Sequence, residues 1–472
     1  MSIKTTHIEI HNDIIKRIGK IADDNKIEAY VVGGYVRDKL LSIEVKDVDI
    51  MVLGDGIAFA KKVAKEFGNI KVVKYEKFGT AMLPIEDAKV EFVTAREETY
   101  EPDSRKPIVK KSSLEADLSR RDFTINAMAA SLNGVDFGKI IDPYNGEDDL
   151  KAGLIRTPLD PEKTFEDDPL RILRAIRFAS KLQFQIYDET FKAIIKMKDR
   201  LSIISQERIT DEFFKILVSQ KPSVGLFLLQ ETGITKIIFP EMNDMAGVDQ
   251  RHDYHHKDVL RHTLKVVDSI SEATENVWLR FTALVHDIAK PRTKAFKPGI
   301  GWTFHGHEEI GARMMKSIFR RMRLPMDKLP YVEKLVRLHL RPMVLISEEV
   351  TDSAIRRVLF EAGDLIDDLM TLCRADITSQ NPQKVNRYLR NYEVVMEKMK
   401  EVEEKDRLRN WQPPVRGEEI MHVCGLPPGK TVGILKKEIE DAILNGLIPN
   451  EHDAALEYLL SVKEKILAKI EN

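Results

Sequence analysis

The segment DVDIMV at residues 47–52 decides the fold of the N-terminal region. Its acidic and apolar residues alternate with the period of two that is typical of a β-strand, so Asp47 and Asp49 project from one face and the β-branched residues from the other. Because the β-branched face is buried, the two carboxylates project together from the opposite face. Such a pair suits Mg²⁺, which takes oxygen ligands and can hold the attacking and leaving oxygens of a phosphoryl transfer.

Two neighbouring segments carry further groups that suit a nucleotide. AYVVGGYVRD at 29–38 predicts a strand, a turn at Gly33 and Gly34 where backbone N–H groups can approach a phosphate, and a helix start that favours anions. KVEFV at 89–93 predicts a second strand. Glu91 on this strand either supplies a third carboxylate or is simply an exposed strand residue.

Basic side chains follow beside acidic and amide groups. RRDFTINA at 120–127 places two guanidinium groups next to Asp122 and Asn126, a combination that suits a triphosphate and ribose hydroxyls. DDPLRILRAIRF at 167–178 starts a helix with a basic stripe that covers an arc of about 120°. The stripe consists of Arg171, Arg174, Arg177 and Lys181. Standing alone, such a stripe is usually a solvated face.

Length and composition limit the classes to which the chain can belong. It has 472 residues, a formal net charge of -2 and 43% hydrophobic residues, which is ordinary for packed domains. Gly and Pro are too few for a collagen-like or low-complexity chain, and no apolar run approaches the ~18 residues that a membrane helix needs. The two cysteines, Cys373 and Cys424, are too few for disulfides to stabilise a chain of this size. This low cysteine content favours a reducing cytoplasm.

The pattern along the chain predicts an α+β head followed by helical regions. Helix and strand signals mix in the head, whereas the remainder reads as one helix after another. We expect a head with a mixed sheet at 1-150, an all-α neck and body at 151-245, an all-α histidine-rich domain at 246-380 and a helical tail at 381-472. Since the chain is almost neutral, any contact with nucleic acid must come from local basic surface.

The histidine-rich domain has the residue order of a metal site. His262 is followed by the adjacent pair His286 and Asp287, and then by Asp376. A His-Asp pair on a helix, with one His before it and one Asp after it, suits a divalent ion that takes nitrogen and oxygen ligands. A single buried histidine is more often a satisfied core residue, but four residues in this order predict a metal site.

Five motifs occur in order along residues 1–245: Gly33-Gly34-x-x-Arg37-Asp38, Asp47-x-Asp49, RRDFTINAMA at 120–129, DDPLRILRAIRFA at 167–179 and Glu207-Arg208-Ile209-x-x-Glu212-Phe213. Together they resemble the class II tRNA nucleotidyltransferases, the bacterial CCA-adding enzymes of the DNA polymerase beta superfamily. The segment 417–451 resembles the C-terminal region of the same family. The resemblance implies a polymerase-beta-like catalytic head, a neck and body that bind the nucleotide base and tRNA, and a tRNA-binding tail.

The resemblance also implies roles for individual residues. Asp47 and Asp49 would hold Mg²⁺, and Arg121 and Asp122 would hold the triphosphate and the ribose. Further nucleotide-binding residues are implied at Gly33, Gly34, Arg37, Asp38, Asn126, Arg174 and Arg177.

In this family an acidic pair and an arginine on the neck helix read the incoming base in place of a template. The corresponding residues are Asp167, Asp168 and Arg171, although the family usually has Glu at the position of Asp167. A carboxylate accepts from the exocyclic amine of cytosine or adenine, and an arginine donates to the adjacent ring acceptor, so CTP and ATP are favoured over UTP and GTP. The segment Glu101–Ser113 lies where the family has a mobile loop, and it is equally well an ordinary surface loop.

The histidine block resembles the HD phosphohydrolase superfamily. His307 and His339 match the extra histidines of members that bind two metal ions. The resemblance implies that the domain binds a divalent transition metal, Mg²⁺ or Mn²⁺ and hydrolyses phosphoesters, such as cyclic or terminal phosphates of nucleotides and RNA. A degenerate domain that is kept for packing is the alternative.

These features predict a cytoplasmic tRNA nucleotidyltransferase that uses CTP and ATP, adds C and/or A to the tRNA 3′ end and needs no membrane. One alternative is a bacterial poly(A) polymerase, which shares the head chemistry. Another is a nucleotide-signalling enzyme with paired nucleotidyltransferase and HD sites. Complete CCA addition and partial addition use the same head motifs, and monomer and homodimer both remain open.

Overall fold

A computed structural model describes residues 7–45, 47–76, 79–86, 88–99, 108–248, 258–347, 351–378, 381–406 and 411–471 of the chain. Most of the predicted loop at Glu101–Ser113 lies outside these residues. The chain divides into two compact units, residues 1–239 and 240–472. The finer division into four domains stays a prediction.

The first unit combines a mixed sheet with helices. Its strands are β1 (Ala29–Val32), β2 (Asp47–Val52), β3 (Val73–Tyr75), β4 (Thr80–Ile85), β5 (Ala88–Thr94), β6 (Arg96–Thr99), β7 (Ile108–Lys111), β8 (Ala129–Ser131), β9 (Ile140–Ile141), β10 (Leu154–Ile155) and β11 (Gln185–Ile186). Seven of them form one sheet in the order β3-β4-β5-β2-β1-β8-β9. Strands β2 and β5 run parallel, and the other neighbours in this sheet run antiparallel.

Helices cover the sheet and continue beyond it. They are α1 (Asp13–Asp24), α2 (Gly34–Leu40), α3 (Gly56–Glu66), α4 (Leu114–Ser119), α5 (Gly146–Ala152), α6 (Pro161–Asp167), α7 (Leu170–Leu182), α8 (Asp188–Met197), α9 (Gln206–Leu217), α10 (Pro222–Glu231) and α11 (Thr235–Ile238). This arrangement confirms the predicted fold class. The short parallel pair β10–β11 is an addition that the helical pattern of this region did not predict.

The two faces of the sheet have different surroundings. Val48 and Ile50 belong to the main apolar cluster, together with residues of α1 and α3 such as Ile15 and Phe59. On the opposite face, Met51 packs in a smaller cluster, and the two positions nearer the start of β2 stay exposed. This face of β2 is therefore buried at the end that holds Met51 and open to ligands at the acidic end.

The second unit is helical apart from one hairpin in its described residues. Its helices are α12 (Pro240–Asp244), α13 (Val259–Ala273), α14 (Val277–Val285), α15 (Lys290–Thr293), α16 (His307–Arg321), α17 (Leu329–Leu338), α18 (Leu340–Ser347), α19 (Asp352–Ala362), α20 (Ile366–Asp376), α21 (Pro382–Asp406), α22 (Gly417–Cys424), α23 (Lys430–Leu444) and α24 (His452–Glu471). The hairpin, β12 (Ala295–Lys297) and β13 (Gly301–Thr303), was not predicted. Throughout the described ranges, every helix is too short or too polar to cross a bilayer.

Helix α1 approaches the sheet so closely that only glycine fits at one position. A Cβ added to Gly19 would overlap the backbone carbonyl oxygen of Leu132, the residue that follows β8. We therefore expect Gly19→Ala to lower the free energy of unfolding by about 1–3 kcal/mol, because overpacking outweighs the higher helix propensity of alanine. Urea unfolding followed by circular dichroism measures this change.

The matched control is Gly433→Ala on α23, where an added Cβ meets nothing within 4 Å. Here the same substitution should leave the second unit equally stable or more stable, by up to about 1 kcal/mol. A Gly19→Ala protein as stable as the wild type would mean that α1 can move away from the sheet at little cost.

Candidate active sites

Strands β2 and β5 bring three carboxylates to one region of the head sheet. Asp49 lies opposite Glu91 in the parallel register, while the exposed Asp47 lies two residues earlier on the same face as Asp49. The alternation predicted for β2 is thus observed. Directly opposed residues of neighbouring strands share a face, so Glu91 joins the other two carboxylates.

The electrostatics of these carboxylates reflect their proximity. Burial raises the pKa of Asp49, the charge of Arg121 opposes this shift, and Asp47 adds to it. Burial also raises the pKa of Glu91; the charge of Asp49 adds to this shift, and Arg96 opposes it. Concentrated negative charge of this kind attracts a divalent cation with oxygen preference. Among the described residues, however, these three side chains do not form a group whose ligand atoms all lie within 4.8 Å of one another.

The glycine turn lies against a guanidinium group. Gly33 has a φ of 67°, and a Cβ there would lie 2.6 Å from Nη1 of Arg121. Both the left-handed backbone and the close approach require glycine. The Nε and Nη2 atoms of Arg121 donate to Asp117 Oδ2 at 3.3 and 3.2 Å, and Arg120 donates to the other oxygen of Asp117. The turn and Arg121 of RRDFTINA therefore meet, as a phosphate site would require.

Sequence analysis missed Asp117, the fully buried carboxylate that holds both arginines. Its spacing of three and four residues before Arg120 and Arg121 is the one local signal that could have identified it.

A hydrogen-bonded chain joins the glycine-turn helix to the neck helix. Arg37 donates to Asp38 at 2.7 Å and to the Asn126 side-chain oxygen at 2.6 Å. The Asn126 amide donates to Asp122 Oδ1 at 3.0 Å, and Arg174 on α7 donates from Nε to Asp122 Oδ2 at 2.8 Å. Five of the predicted nucleotide-binding residues, from three motifs, are thereby connected through direct contacts. The chain crosses from α2 to α7 through the RRDFTINA segment.

Asp122 is a buried carboxylate within this chain of contacts. Burial alone raises its pKa, but the charge and hydrogen bond of Arg174, with the hydrogen bond of Asn126, lower the pKa to about 2. The carboxylate is therefore ionised at neutral pH and acts only as a hydrogen-bond acceptor. A buried, ionised and rigidly held carboxylate is suited to accept hydrogen bonds from ribose hydroxyls.

The basic stripe of α7 is largely turned inward. Arg177 pairs with Glu212 at 2.8 Å and lies 4.3 Å from the Phe178 ring centroid. Arg171 donates to the carbonyl oxygens of Arg120 and Thr164, at 2.6 and 3.4 Å. Neither arginine belongs to a solvated face. Their long side chains instead brace α7 against the head and against α9.

The two acidic residues before α7 are half-buried. Asp168 accepts through Oδ1 from the backbone N–H of Leu170 at 3.1 Å, and its Oδ2 lies 4.0 Å from Arg208. Asp167 ends α6. The acidic pair and Arg171 occupy neighbouring positions. Because Arg171 donates its hydrogen bonds to backbone carbonyls, the three side chains are not arranged here to contact one nucleotide base together.

In the second unit, six side chains from five segments meet around one aspartate. The ligand atoms of His262, His286 and Asp376 lie within 4.8 Å of one another, as do those of Asp287, His307 and His339. Asp287 Oδ2 lies 3.2 Å from His286 Nε2, whereas its Oδ1 lies 3.3 Å from His307 Nε2. One carboxylate thus faces both groups, an arrangement that fits a bridging ligand between two cations.

The histidines are oriented by their second ring nitrogens. The Nδ1 atoms of three histidines donate to the carbonyl oxygens of Ala283, Phe304 and Val336; the donors are His286, His307 and His339. Each bond turns Nε2 toward the centre of the cluster. Burial lowers the pKa of His286, but the charges of Asp287 and Asp376 raise it to about 9. His286 Nε2 is buried and makes no hydrogen bond in the described structure. This donor set fits divalent metal ions.

Charge in this cluster is balanced within it. Burial raises the pKa of Asp287, but the charges of His286 and Lys290 lower it well below its usual value; the Lys290 Nζ lies 2.5 Å from Asp287. Burial and the charge of His286 lower the pKa of His339 to about 3. The ionised carboxylates and the neutral His339 have the protonation states that metal ligands need, whereas His286 must lose a proton to bind a metal ion. Sequence analysis did not identify Lys290, which follows Asp287 by one helical turn.

Three family models match consecutive parts of the chain. Their descriptions are "Poly A polymerase head domain" for residues 29–156, "Probable RNA and SrmB- binding site of polymerase A" for 183–245 and "HD domain" for 259–380. The first contains the carboxylates of β2 and β5, and the last contains the six-residue metal-ligand cluster.

Similar proteins of known type cover most of the chain. The Multifunctional CCA protein of Legionella pneumophila is 32% identical over 75% of this chain and 85% of its own. The A-adding tRNA nucleotidyltransferase of Deinococcus radiodurans is 29% identical over 90% of this chain and 94% of its own. A crystal structure of a tRNA nucleotidyltransferase with a primer tRNA and an incoming ATP analog is 27% identical, with a TM-score of 0.59 over 80% of this chain and 99% of that one.

Three observations point to the same family. They are the carboxylates of β2 and β5, the contacts that join RRDFTINA to the neck helix, and the extent of similarity along the chain. The chain therefore belongs to the tRNA nucleotidyltransferase family that includes the CCA-adding enzymes.

Proposed function

We propose that the chain transfers C and/or A from CTP and ATP to the 3′ end of tRNA without a nucleic-acid template. The observation that carries this proposal is the convergence of three carboxylates, the Arg121 guanidinium and the glycine turn on one side of the head sheet. The names of the relatives support tRNA as the acceptor. These substrates are cytoplasmic, so we also place the reaction in the cytoplasm.

In the proposed reaction, the 3′-hydroxyl oxygen of tRNA attacks the α-phosphorus of the nucleotide in line, and the bond to the pyrophosphate oxygen breaks. Asp47 and Asp49, with Glu91 beside them, would hold Mg²⁺, which supplies neutralisation of the phosphate charge when bound. Arg121 binds the triphosphate beside the N–H groups of the glycine turn. Asp122 accepts hydrogen bonds from the ribose and thereby sets the position of the sugar.

Base selection is assigned to Asp167, Asp168 and Arg171. Asp168 Oδ1 is engaged by the N–H of Leu170, which holds the carboxylate in place for an exocyclic amine. Arg171 must exchange its bond to the Arg120 or Thr164 carbonyl for one to the base. A purine or pyrimidine that offers a carbonyl oxygen to Asp168 is repelled, so UTP and GTP are rejected.

For the second unit we propose metal-dependent hydrolysis of phosphoesters. His262, His286 and Asp376 would hold one ion, His307 and His339 a second, and Asp287 would contact both. The ions, either a transition metal or Mg²⁺ or Mn²⁺, supply Lewis acidity and charge neutralisation when bound. The protein positions the ligands through the histidine Nδ1 bonds, and Lys290 holds Asp287.

The test of the head activity uses three tRNA transcripts that end at the discriminator base, at C and at CC. Each is incubated with Mg²⁺ and with CTP, ATP or both, and products are sized to one nucleotide. Growth of the first transcript by three residues with both nucleotides means complete CCA addition, and a single A on the CC-ended transcript alone means A addition. Long A tails on any RNA would contradict the proposal in favour of a poly(A) polymerase.

Asp49→Asn should lower the rate of addition by about two orders of magnitude or more, because a metal contributes several kcal/mol to the transition state. The matched control is Asp136→Asn, an exposed carboxylate of the same unit that pairs with Lys139. Equal rates in the two variants would remove Asp49 from the reaction.

Arg174→Met should leave Asp122 buried without its main counter-charge. We expect the free energy of unfolding to fall by about 2 kcal/mol, less than for a fully buried pair because the Arg174 side chain is 34% exposed. The Michaelis constant for ATP should rise as Asp122 loses its orientation. Urea unfolding and initial-rate kinetics measure the two effects.

The double variant Asp122→Asn/Arg174→Met separates these effects. It should regain stability, since the buried Asp122 charge is removed together with its partner, but not activity, since the ribose acceptor is gone. Lys181→Met, on the exposed end of the same helix, is the control and should change neither quantity. Full activity of the double variant would contradict the role of Asp122.

Metal binding to the second unit is tested by stability and stoichiometry. Added Mn²⁺ or Co²⁺ should stabilise chelator-treated protein by about 2.7 kcal/mol at a hundredfold excess over Kd. Asp287→Asn should abolish this gain and lower the metal content, measured by elemental mass spectrometry, by two ions per chain relative to wild type. The control is Asp327→Asn, an exposed carboxylate of the same unit. Equal metal content in wild type and Asp287→Asn would contradict the site.

A further inference from the structure

The chain between two ligands of the metal-ligand cluster has an unusual composition. Residues 288–306 connect Asp287 to His307 and contain the basic residues Lys290, Arg292, Lys294 and Lys297, with no acidic residue, in a chain whose net charge is -2. The same segment holds three aromatic residues and forms the β12–β13 hairpin. Neither the nucleotidyl transfer nor the metal ligation described above uses this hairpin.

One face of the hairpin is aromatic and cationic. Phe296 and Trp302 are directly opposed across the two strands, and their ring centroids lie 5.2 Å apart in an edge-on arrangement. Lys294, two residues before Phe296, places its Nζ 4.2 Å from the Trp302 ring centroid. Phe296 is 50% exposed, and Ile300 at the turn is 75% exposed. We call the surface formed by Lys294, Phe296 and Trp302 the aromatic face.

The aromatic face continues toward the metal-ligand cluster. Phe304 follows Trp302 by two residues, and its carbonyl oxygen accepts the bond from His307 Nδ1 at 2.7 Å. Lys290 lies 5.8 Å from the Phe304 ring and 2.5 Å from Asp287. Cationic and aromatic residues thus follow one another along residues 288–306 from the hairpin to the ligand His307, with no acidic residue between them in sequence.

Aromatic rings beside lysines are the groups that bind single-stranded nucleic acid, because bases stack on the rings and cations neutralise phosphates. We propose that the aromatic face binds the single-stranded 3′ end of an RNA and holds its terminal phosphate at the metal-ligand cluster. The inference rests on the phosphoester hydrolysis proposed for the second unit. It deepens that proposal by naming the surface that would bind an RNA end and favour it over a free nucleotide.

The kinetic test compares a short single-stranded RNA that ends in a 2′,3′-cyclic phosphate with 2′,3′-cyclic AMP, using the Mn²⁺-loaded protein. The measured quantity is the ratio of kcat/KM for the RNA to kcat/KM for the nucleotide. Phe296→Ala and Trp302→Ala should each lower this ratio about tenfold or more, because the RNA alone has bases to stack on the hairpin. An unchanged ratio would overturn the proposal.

Two lysines of the same hairpin form a matched pair. Lys294 lies on the aromatic face, whereas Lys297, one residue after Phe296, projects from the opposite face of β12. Lys294→Gln should lower the ratio several-fold more than Lys297→Gln. Equal effects would mean that the hairpin contributes only non-specific positive charge, and they would contradict a defined binding face. Both substitutions are surface changes, so the comparison holds even where Trp302→Ala disturbs the hairpin.

A readout independent of hydrolysis is photo-crosslinking of RNA with 4-thiouridine next to its 3′ end, mapped by mass spectrometry. We expect crosslinks to Phe296 or Trp302 that are lost in Lys294→Gln and kept in Lys297→Gln. If wild type crosslinks at the hairpin but hydrolyses neither substrate, the proposed hydrolysis fails and the RNA-binding face stands. Crosslinks confined to other segments overturn the face. Binding of the same variants to phosphatidylglycerol vesicles is measured in parallel. If Lys294→Gln loses vesicle binding while its RNA crosslinking is unchanged, the aromatic face binds a lipid surface instead of RNA.

Discussion

Asp122 carries a negative charge into the interior of the first unit, and the cost of burying that charge requires partners from distant parts of the chain. Arg174 supplies the counter-charge, Asn126 donates a further hydrogen bond, and Arg37 extends the chain of contacts to the glycine-turn helix. The carboxylate stays ionised because these partners lower its pKa to about 2. The geometry of the proposed nucleotide site therefore depends on an electrostatic requirement as well as on the sheet that carries the carboxylates proposed to hold Mg²⁺.

The second unit also buries a carboxylate, but histidines and a lysine surround it instead of arginine and asparagine. Asp287 is buried among histidines, and each of its oxygens faces one group of ligands. Backbone carbonyls hold the histidine rings, so that their Nε2 atoms converge on the centre. The hairpin with its exposed aromatic and cationic side chains lies in sequence between two of these ligands, Asp287 and His307. These two ligands and the proposed RNA-binding face thus belong to one continuous segment.

Local periodicity predicted much of this arrangement. The alternation along β2 correctly placed Asp47 and Asp49 on one face, and the parallel register brings Glu91 beside them, which the sequence had left open. The arc of arginines on α7 was also predicted, but its environment was not. Arg174 and Arg177 point to Asp122 and Glu212 instead of solvent, because long basic side chains reach buried carboxylates supplied by other segments. The β12–β13 hairpin escaped prediction because its strands are only three residues long.

The sequence by itself determined the α+β head, the helical remainder, the order of the motifs and which residues are candidates for holding nucleotide and metal, since each of these follows from backbone periodicity or from side-chain chemistry. Only the tertiary structure decided which of these groups meet. Asp122 and Arg174 are 52 residues apart, and Asp287 reaches His339 from another helix. Such pairings depend on how the chain closes over its core, where a buried charge is stable only beside the partner that folding brings to it.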